Sequence, residues 1–338
     1  MSRRNPGRAP TLEQVAARAG VGRGTASRVI NGSVQVSEAA RNAVLRAVDD
    51  LGYVPNRAAR SLVTQLTDVV ALVVSEPEDR LFGEPFFGQL VRGVTASLAG
   101  TSRQLLLTMA HRESERGRLN DFLSRQHVDG VLLLSLHGDD PLPAQLAGRG
   151  VPAVLGGRPQ DENPLPYVDM DNEGGAALAV EHLLAGGRRR VATITGPADM
   201  SAGRSRLEGY ARALAAHGLQ PLVGSGDFSE NSGRRAAREL LDAAPDLDAI
   251  FCASDQMAIG ALAELSAAGR RVPDDVAVVG FDDSPSSRHT TPSLTTVHQP
   301  VEEMGVHMVR TLSRLIENPG EPVDDVVLPT HLVVRDSA

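Results

Sequence analysis

Lysine is absent: all 34 basic residues of the 338-residue chain are arginine. That removes a P-loop, a pyridoxal Schiff base and an amine nucleophile, each of which needs an ε-amino group. Cysteine is reduced to Cys252, which excludes an intramolecular disulfide and any multi-cysteine zinc or iron–sulfur centre. Tryptophan is missing and aromatic residues make up only 3%, so the place of each ring carries information. Long apolar runs are missing too. Stretches such as Val69 to Val74 and Val131 to Leu134 are far too short to cross a bilayer. The N-terminus has no apolar export-signal core, so the expected location is the cytoplasm, with no membrane partner. The nine histidines form no H-E-x-x-H pair and no G-x-S-x-G elbow occurs, which argues against hydrolytic chemistry. No catalytic residue, metal site or cofactor is expected.

What is present is an ordinary globular composition, 41% apolar and 22% charged. The length suits a small module joined to a larger two-lobed one. Charge divides along the same line. The net charge is −8, yet residues 1–66 carry +6 and the remainder −14. A basic module on an acidic body binds a polyanion through one end only.

In TLEQVAARA, Thr11 stands three residues before Gln14, a capping box that starts a helix by meeting its free backbone donors. Leu12, Val15, Ala16 and Ala19 then share one face. Gly20, Val21 and Gly22 make a tight turn, and a second short helix follows from Arg23 to Ile30. Two short helices around a glycine turn read as a helix-turn-helix. Ala26, Val29 and Ile30 pack inward, which leaves Arg23, Gly24, Ser27 and Arg28 facing a major groove. Ser37 caps a third helix whose apolar positions are Ala40, Val44, Val48 and Leu51, and Gly52 ends it. After Pro55, NRAARSLVT suits one more short helix from Asn56, marginal alone and ordered on DNA. The string GVGRG is a poor dinucleotide loop, because Thr25 replaces the third glycine and no strand precedes it.

From Val69 onward VVALVV, QLLLTM, GVLLLS and PAVL, then RVATIT, DAIFCAS and VAVVGF, alternate with amphipathic stretches. This is the βαβ rhythm of parallel sheets covered by helices on both faces, and it occurs twice, at 68–166 and 167–295. Ligands of such sheets bind beyond the carboxyl ends of the strands, here the cleft between the lobes. Several polar residues lie at those ends, and each has two readings. Asp282 and Asp283 are turn formers or ligand contacts. Ser254 and Asp255 are helix caps or ligand contacts. Arg206 is a solvated helix residue or a ligand contact, and Phe86, on the loop that opens the first core helix, and Phe228 are core residues or ligand contacts.

The strings TLEQVAARAGVGRGTASRVING and VPNRAARSL, with GPADMSAGRSRLEGY, CASDQMAIGAL, GFDD and TTVHQP in the core, resemble the LacI/GalR family of bacterial regulators over nearly the whole chain. The resemblance implies a small all-α helix-turn-helix domain (1–55), a hinge helix and linker (56–67) and a periplasmic-binding-protein-like α/β core (68–338). It further implies three crossings between lobes, which give 68–166 with 296–326 and 167–295 with 327–338. By similarity Arg23, Gly24 and Arg28 read bases in double-stranded operator DNA. Thr11, Thr25, Ser27, Asn31 and Tyr53 contact phosphates or brace the helix. Asn56 and Ala59 lie on the hinge segment, and Leu62 matches a minor-groove wedge. Arg206, Ser254, Asp282 and Gln299 are implied to bond the hydroxyls of a small sugar effector, with Phe228, Phe86 and Glu84 in the same pocket. Two departures stand out: Gly22 where the family has a capping serine, and Gly24 at a base-reading position. Readout then leans on Arg23 and Arg28, whose best base partner is guanine. GVGRGTASRVINGS, HVDGVLLLSLHGDDPLP and GGRP resemble the cellulose-utilisation branch, which implies cellobiose or a related oligosaccharide. A repressor released from DNA by its sugar is expected. A homodimer is expected as well, since hinge helices work in pairs and the chain ends at VVRDSA without a tetramerising coil.

Overall fold

The computed structural model describes residues 10–30, 35–53, 66–109, 113–124, 126–138, 140–159 and 163–338, which divide into an N-terminal unit ending at Thr67 and a core from Asp68. Asn31, Asn56, Ala59 and Leu62, and with them most of the expected hinge, lie outside the described residues.

In the N-terminal unit, α1 (Leu12–Ala19), α2 (Arg23–Ile30) and α3 (Glu38–Leu51) surround a small core of Val15, Ala16, Ala26, Val29, Val44 and Ala47. Both arms of the capping box form, Thr11 N–H to Gln14 Oε1 at 2.9 Å and Gln14 N–H to Thr11 Oγ1 at 3.4 Å. Gly20 and Gly52 end α1 and α3 in the left-handed conformation that glycine adopts without strain. Ala40 is only half-buried and Ala47 takes the inner place, because Val44 and Ala47, three apart, face α1 and α2.

Among the described residues the core forms two six-stranded sheets. β1 (Val69–Val74), β2 (Gln104–Met109), β3 (Gly130–Leu134), β4 (Ala153–Gly156), β5 (Tyr167–Met170) and β11 (Val326–Leu328) form the first, ordered β11-β5-β4-β3-β1-β2. β6 (Val191–Thr195), β7 (Leu222–Ser225), β8 (Ala249–Cys252), β9 (Ala277–Asp282), β10 (Thr295–His298) and β12 (His331–Val333) form the second, ordered β12-β10-β9-β8-β6-β7. Every pairing is parallel except β10 with β12. Period-two alternation explains the three layers. Val70, Leu72 and Val74 meet α5 (Pro85–Leu98) and α12 (Val301–Glu317), while Ala71 and Val73 meet the opposite face with α7 (Leu142–Gly148). In the second lobe Ile250 and Cys252 meet α10 (Glu230–Ala243) and α11 (Asp255–Ala267), and Ala249 and Phe251 meet α8 (Asn172–Ala185) and α9 (Ser201–Ala216). Three helix pairs close through glycine: a Cβ on Gly93 of α5 would lie 2.0 Å from the Glu302 carbonyl oxygen of α12, one on Gly260 of α11 would lie 2.0 Å from that of Glu230 on α10, and one on Gly209 of α9 would lie 2.1 Å from that of Glu173 on α8.

The crossings fall later than the sequence rhythm suggests. Residues 167–170 pair with β4 as the fifth strand of the first sheet, so the chain changes lobes after Met170 and not at 166. Thr295–His298 pairs with β9 and keeps the second lobe going to 298, and Val326–Leu328 pairs with β5 and holds the first lobe to 328. These strands are three or four residues long and interrupted by polar side chains or sited at an edge, so their apolar signal is weak and only pairing defines them.

Candidate functional site

In the N-terminal unit the outward face of α2 carries exposed Arg23, Gly24 and Arg28, with Thr25 and Ser27 half-buried beside them. Arg23 Nε lies 3.1 Å from Glu13 on α1, an exposed pair that a polyanion competes with readily. Gly22 supplies the capping carbonyl of α2, accepting from Thr25 N–H (2.9 Å) and Ala26 N–H (3.0 Å), but has no side chain to meet the remaining donors. A Cβ on Gly22 would meet nothing within 4 Å, and one on Gly24 only Arg28 Nη2 at 3.8 Å. Tyr53 packs against the small core, its N–H donating to the Val48 carbonyl at 3.0 Å.

Within the core, a cavity of about 390 Å³ opens between the lobes at the carboxyl ends of the strands. Its size and mixed walls suit a small polar molecule. Glu84, Phe86, Arg206, Phe228, Ser254, Asp282 and Gln299 all line it. Arg206, on α9, is 5% exposed. Its Nε donates to Asn172 Oδ1 (2.9 Å), its Nη1 donates to the Ala253 carbonyl (2.6 Å), and Asp282 Oδ1 lies 3.6 Å from Nη1. The guanidinium also lies 3.8 Å from the Phe281 ring centre. Burial pulls its proton affinity down, opposed by the Asp282 charge. Burial likewise pushes the Asp282 carboxyl far above the usual carboxylate range, against the pull of Arg206. Gln299 Nε2 donates to Asp282 Oδ1 at 2.6 Å.

Phe228 is 7% exposed; its ring belongs to the second-lobe core and also forms cavity wall. Arg80 and Arg206 stand 5.3 and 5.6 Å from its centre. A side chain on Gly196 would begin 2.1 Å from the ring. Ser135, Phe228 and Asp282 take φ of +57°, +70° and +123° without being glycine, and all three border the cavity. Such conformations are held at a cost that collects at ligand sites. Glu84 accepts from Arg80 Nε (2.6 Å). Burial raises its pKa against the pull of that arginine.

Ser254 is the cap of α11: its Oγ accepts from Met257 N–H and donates to the Phe228 carbonyl, both at 3.2 Å. Asp255 is buried, accepting from Ser284 N–H (2.7 Å) and from Thr296 Oγ1. Asp283 is held by Arg335 and His298 and does not line the cavity. The GFDD pair therefore splits, Asp282 into the cavity and Asp283 into a tie to the C-terminal segment.

Sequence reasoning missed the first-lobe wall, made of Asp140, Arg158, Asn163 and Asp169 with Asn172 at the crossing. Asp169 was hidden as one polar residue in the short run YVDM, and Asn172 as an ordinary first residue of a helix. At a second, more open mouth, His137 Nδ1 lies 2.9 Å from Asp199 of the other lobe and Nε2 lies 3.2 Å from Glu76. The hydrogen bond to Glu76 leads the contributions that raise the His137 pKa.

A helix-turn-helix joined in one chain to a two-lobed binding core defines a class, the DNA-binding transcription regulators that carry a small-molecule-binding core. Residues 11–56 match the model of the bacterial regulatory proteins of the lacI family, and residues 180–338 that of the periplasmic binding protein-like domain. The HTH-type transcriptional regulator CelR of Thermobifida fusca is 56% identical over 336 residues, 98% of either chain. A solved transcriptional regulator CelR–cellobiose complex superimposes with a TM-score of 0.78 at 54% identity, covering 97% of this chain and 100% of that one. The Lac repressor dimer bound to operator and the anti-inducer ONPF gives 0.85 at 29% identity, covering 98% and 99%. The chain belongs to the lacI family of bacterial regulatory proteins. No described helix is long and apolar enough to cross a membrane.

Proposed function

We propose that this protein is a dimeric transcriptional repressor of sugar-utilisation genes, released from its operator by cellobiose or a closely related oligosaccharide. The observation that carries this reading is the cavity between the lobes, where buried Arg206, Asp282 and Gln299 converge beside the Phe228 ring. A fork of N–H donors facing a carboxylate suits the vicinal hydroxyls of a pyranose, and a ring edge or face suits its C–H surface. The relative solved with cellobiose supports the choice of sugar, and the relative solved as an operator-bound dimer supports the assembly.

In this reading Arg23, Gly24 and Arg28 face base edges, while Thr11, Thr25, Ser27, Asn31 and Tyr53 position the helix on the backbone, and Asn56, Ala59 and Leu62 serve the hinge. In the effector pocket Arg206, Asp282 and Gln299 hold hydroxyls, and Phe228, Phe86, Glu84 and Ser254 shape the walls. The protein acts in the cytoplasm, without a cofactor and without catalysing a reaction. Sugar and operator favour different states of the core, and a coupling of about 1–3 kcal/mol suffices for release.

The test is a gel-shift titration of the full chain on its own upstream DNA. Cellobiose is expected to release the DNA, and raising salt to weaken binding with a logarithmic slope of about 0.9 per phosphate contact. Binding strengthened by cellobiose, or retained in full by a chain lacking residues 1–67, overturns the reading.

A further inference from the structure

Arg206 bridges two polar groups of the cavity wall, Asp282 on one side and Asn172 on the other. Glu84, Phe86, Phe228 and Asp282 meet at one end, where they also border a small recess beside Gln256. On the first-lobe wall stand Asp140 after β3, Arg158 after β4 and Asp169 within β5. The Asp140 side chain is 2% exposed. Its Oδ1 accepts from Leu142 N–H at the start of α7 (2.9 Å). Its Oδ2 is ion-paired to Arg116 Nη1 at 3.4 Å but has no hydrogen-bond partner. A buried carboxylate oxygen left without a hydrogen bond is rare in native proteins, and a ligand hydroxyl at this wall would supply the donor.

Asp169, 7% exposed, accepts from Asn172 Nδ2 at 3.1 Å, and Asn172 Oδ1 in turn accepts from Arg206 Nε at 2.9 Å. A continuous polar chain therefore runs from Gln299 and Asp282 through Arg206 and Asn172 to Asp169 and crosses from the second lobe to the first. Arg158 lies over the Tyr167 ring, 5.6 Å from its centre, which steadies the guanidinium beside this end.

We propose that Asp140, Arg158 and Asp169 form a second sugar subsite, which takes the hydroxyls of the second ring of a disaccharide effector and selects it over a single ring. This rests on the sugar reading above. A ligand held by one lobe alone leaves the other unengaged, whereas a two-ring ligand spans both banks and supplies the hydrogen bond that Asp140 Oδ2 lacks.

The test uses the full chain with Asp140→Asn, Asp169→Asn and Arg158→Ala. Asparagine keeps an acceptor for the Leu142 amide and for Asn172 Nδ2, so the fold is preserved. Isothermal titration with cellobiose is expected to show a loss of about tenfold or more in each asparagine variant, because a charged acceptor is exchanged for a neutral one. The melting temperature without sugar, and its rise in millimolar glucose, stay at the wild-type values. Variants that bind cellobiose as the wild type does, or that weaken toward glucose and cellobiose by the same factor, overturn the second subsite alone. A wild-type chain indifferent to cellobiose overturns the sugar reading, and the subsite with it.

Discussion

Arg28 and Arg206 are both helical arginines placed for a ligand, yet they sit in opposite surroundings. Arg28 is exposed on α2, in a unit whose small core of six buried residues makes no use of it. Arg206 is buried, hydrogen-bonded to Asn172 and Ala253 and faced by Asp282. In the N-terminal unit, the side chains proposed to bind and those that form the core are different ones. In the core the side chains proposed to bind also hold the structure together, because a cavity wall inside a protein must have its polar groups paired even before a ligand arrives.

The sharpest way to break this comparison is Arg206→Met. Asn172 Oδ1 and the Ala253 carbonyl would lose their donor and Asp282 its ion-pair partner, and the expected cost to the core is about 3–5 kcal/mol, read by urea denaturation, together with loss of sugar binding by calorimetry. A cost under about 1 kcal/mol would show that Arg206 serves the ligand alone. Arg28→Ala is the counterpart. Stability is expected within about 0.5 kcal/mol of wild type, while operator affinity falls by about 1–3 kcal/mol in a gel shift, most at a guanine-containing half-site. Sugar affinity should not change. The smallest effect belongs to Gly22→Ser, where a hydroxyl would cap α2 in open space. A gain of a few tenths of a kcal/mol is expected in thermal melting of the N-terminal unit, and a loss there would mean that Gly22 serves a role other than capping.

Much of the N-terminal unit was legible from its residues. Thr11, Gln14, Gly20, Ser37 and Gly52 act within a few residues of one another, so local chemistry is enough to bound α1 and α3. The inner position of Ala47 was less visible, since alanine is small enough to suit either face of a helix. In the core, the long apolar strands announced themselves, but β5, β7, β10 and β11 did not, and the lobe boundaries moved with them. On the candidate site, the family strings brought seven residues to one cavity. No role was assigned to Asp140 and Arg158, although HVDGVLLLSLHGDDPLP and GGRP contain them, nor to Asp169 and Asn172, and no periodicity distinguishes the four from turn and cap residues.

The amino-acid order alone determined the charge division, the helix-turn-helix and the βαβ rhythm, because caps, turns and hydrophobic periodicity act between near neighbours in the chain. Only the tertiary structure decided which short strands belong to which sheet and that Asp282 and Asp283 part company. Those outcomes depend on partners tens to hundreds of residues away, and burial between them sets which polar groups are paired and which remain open to a ligand.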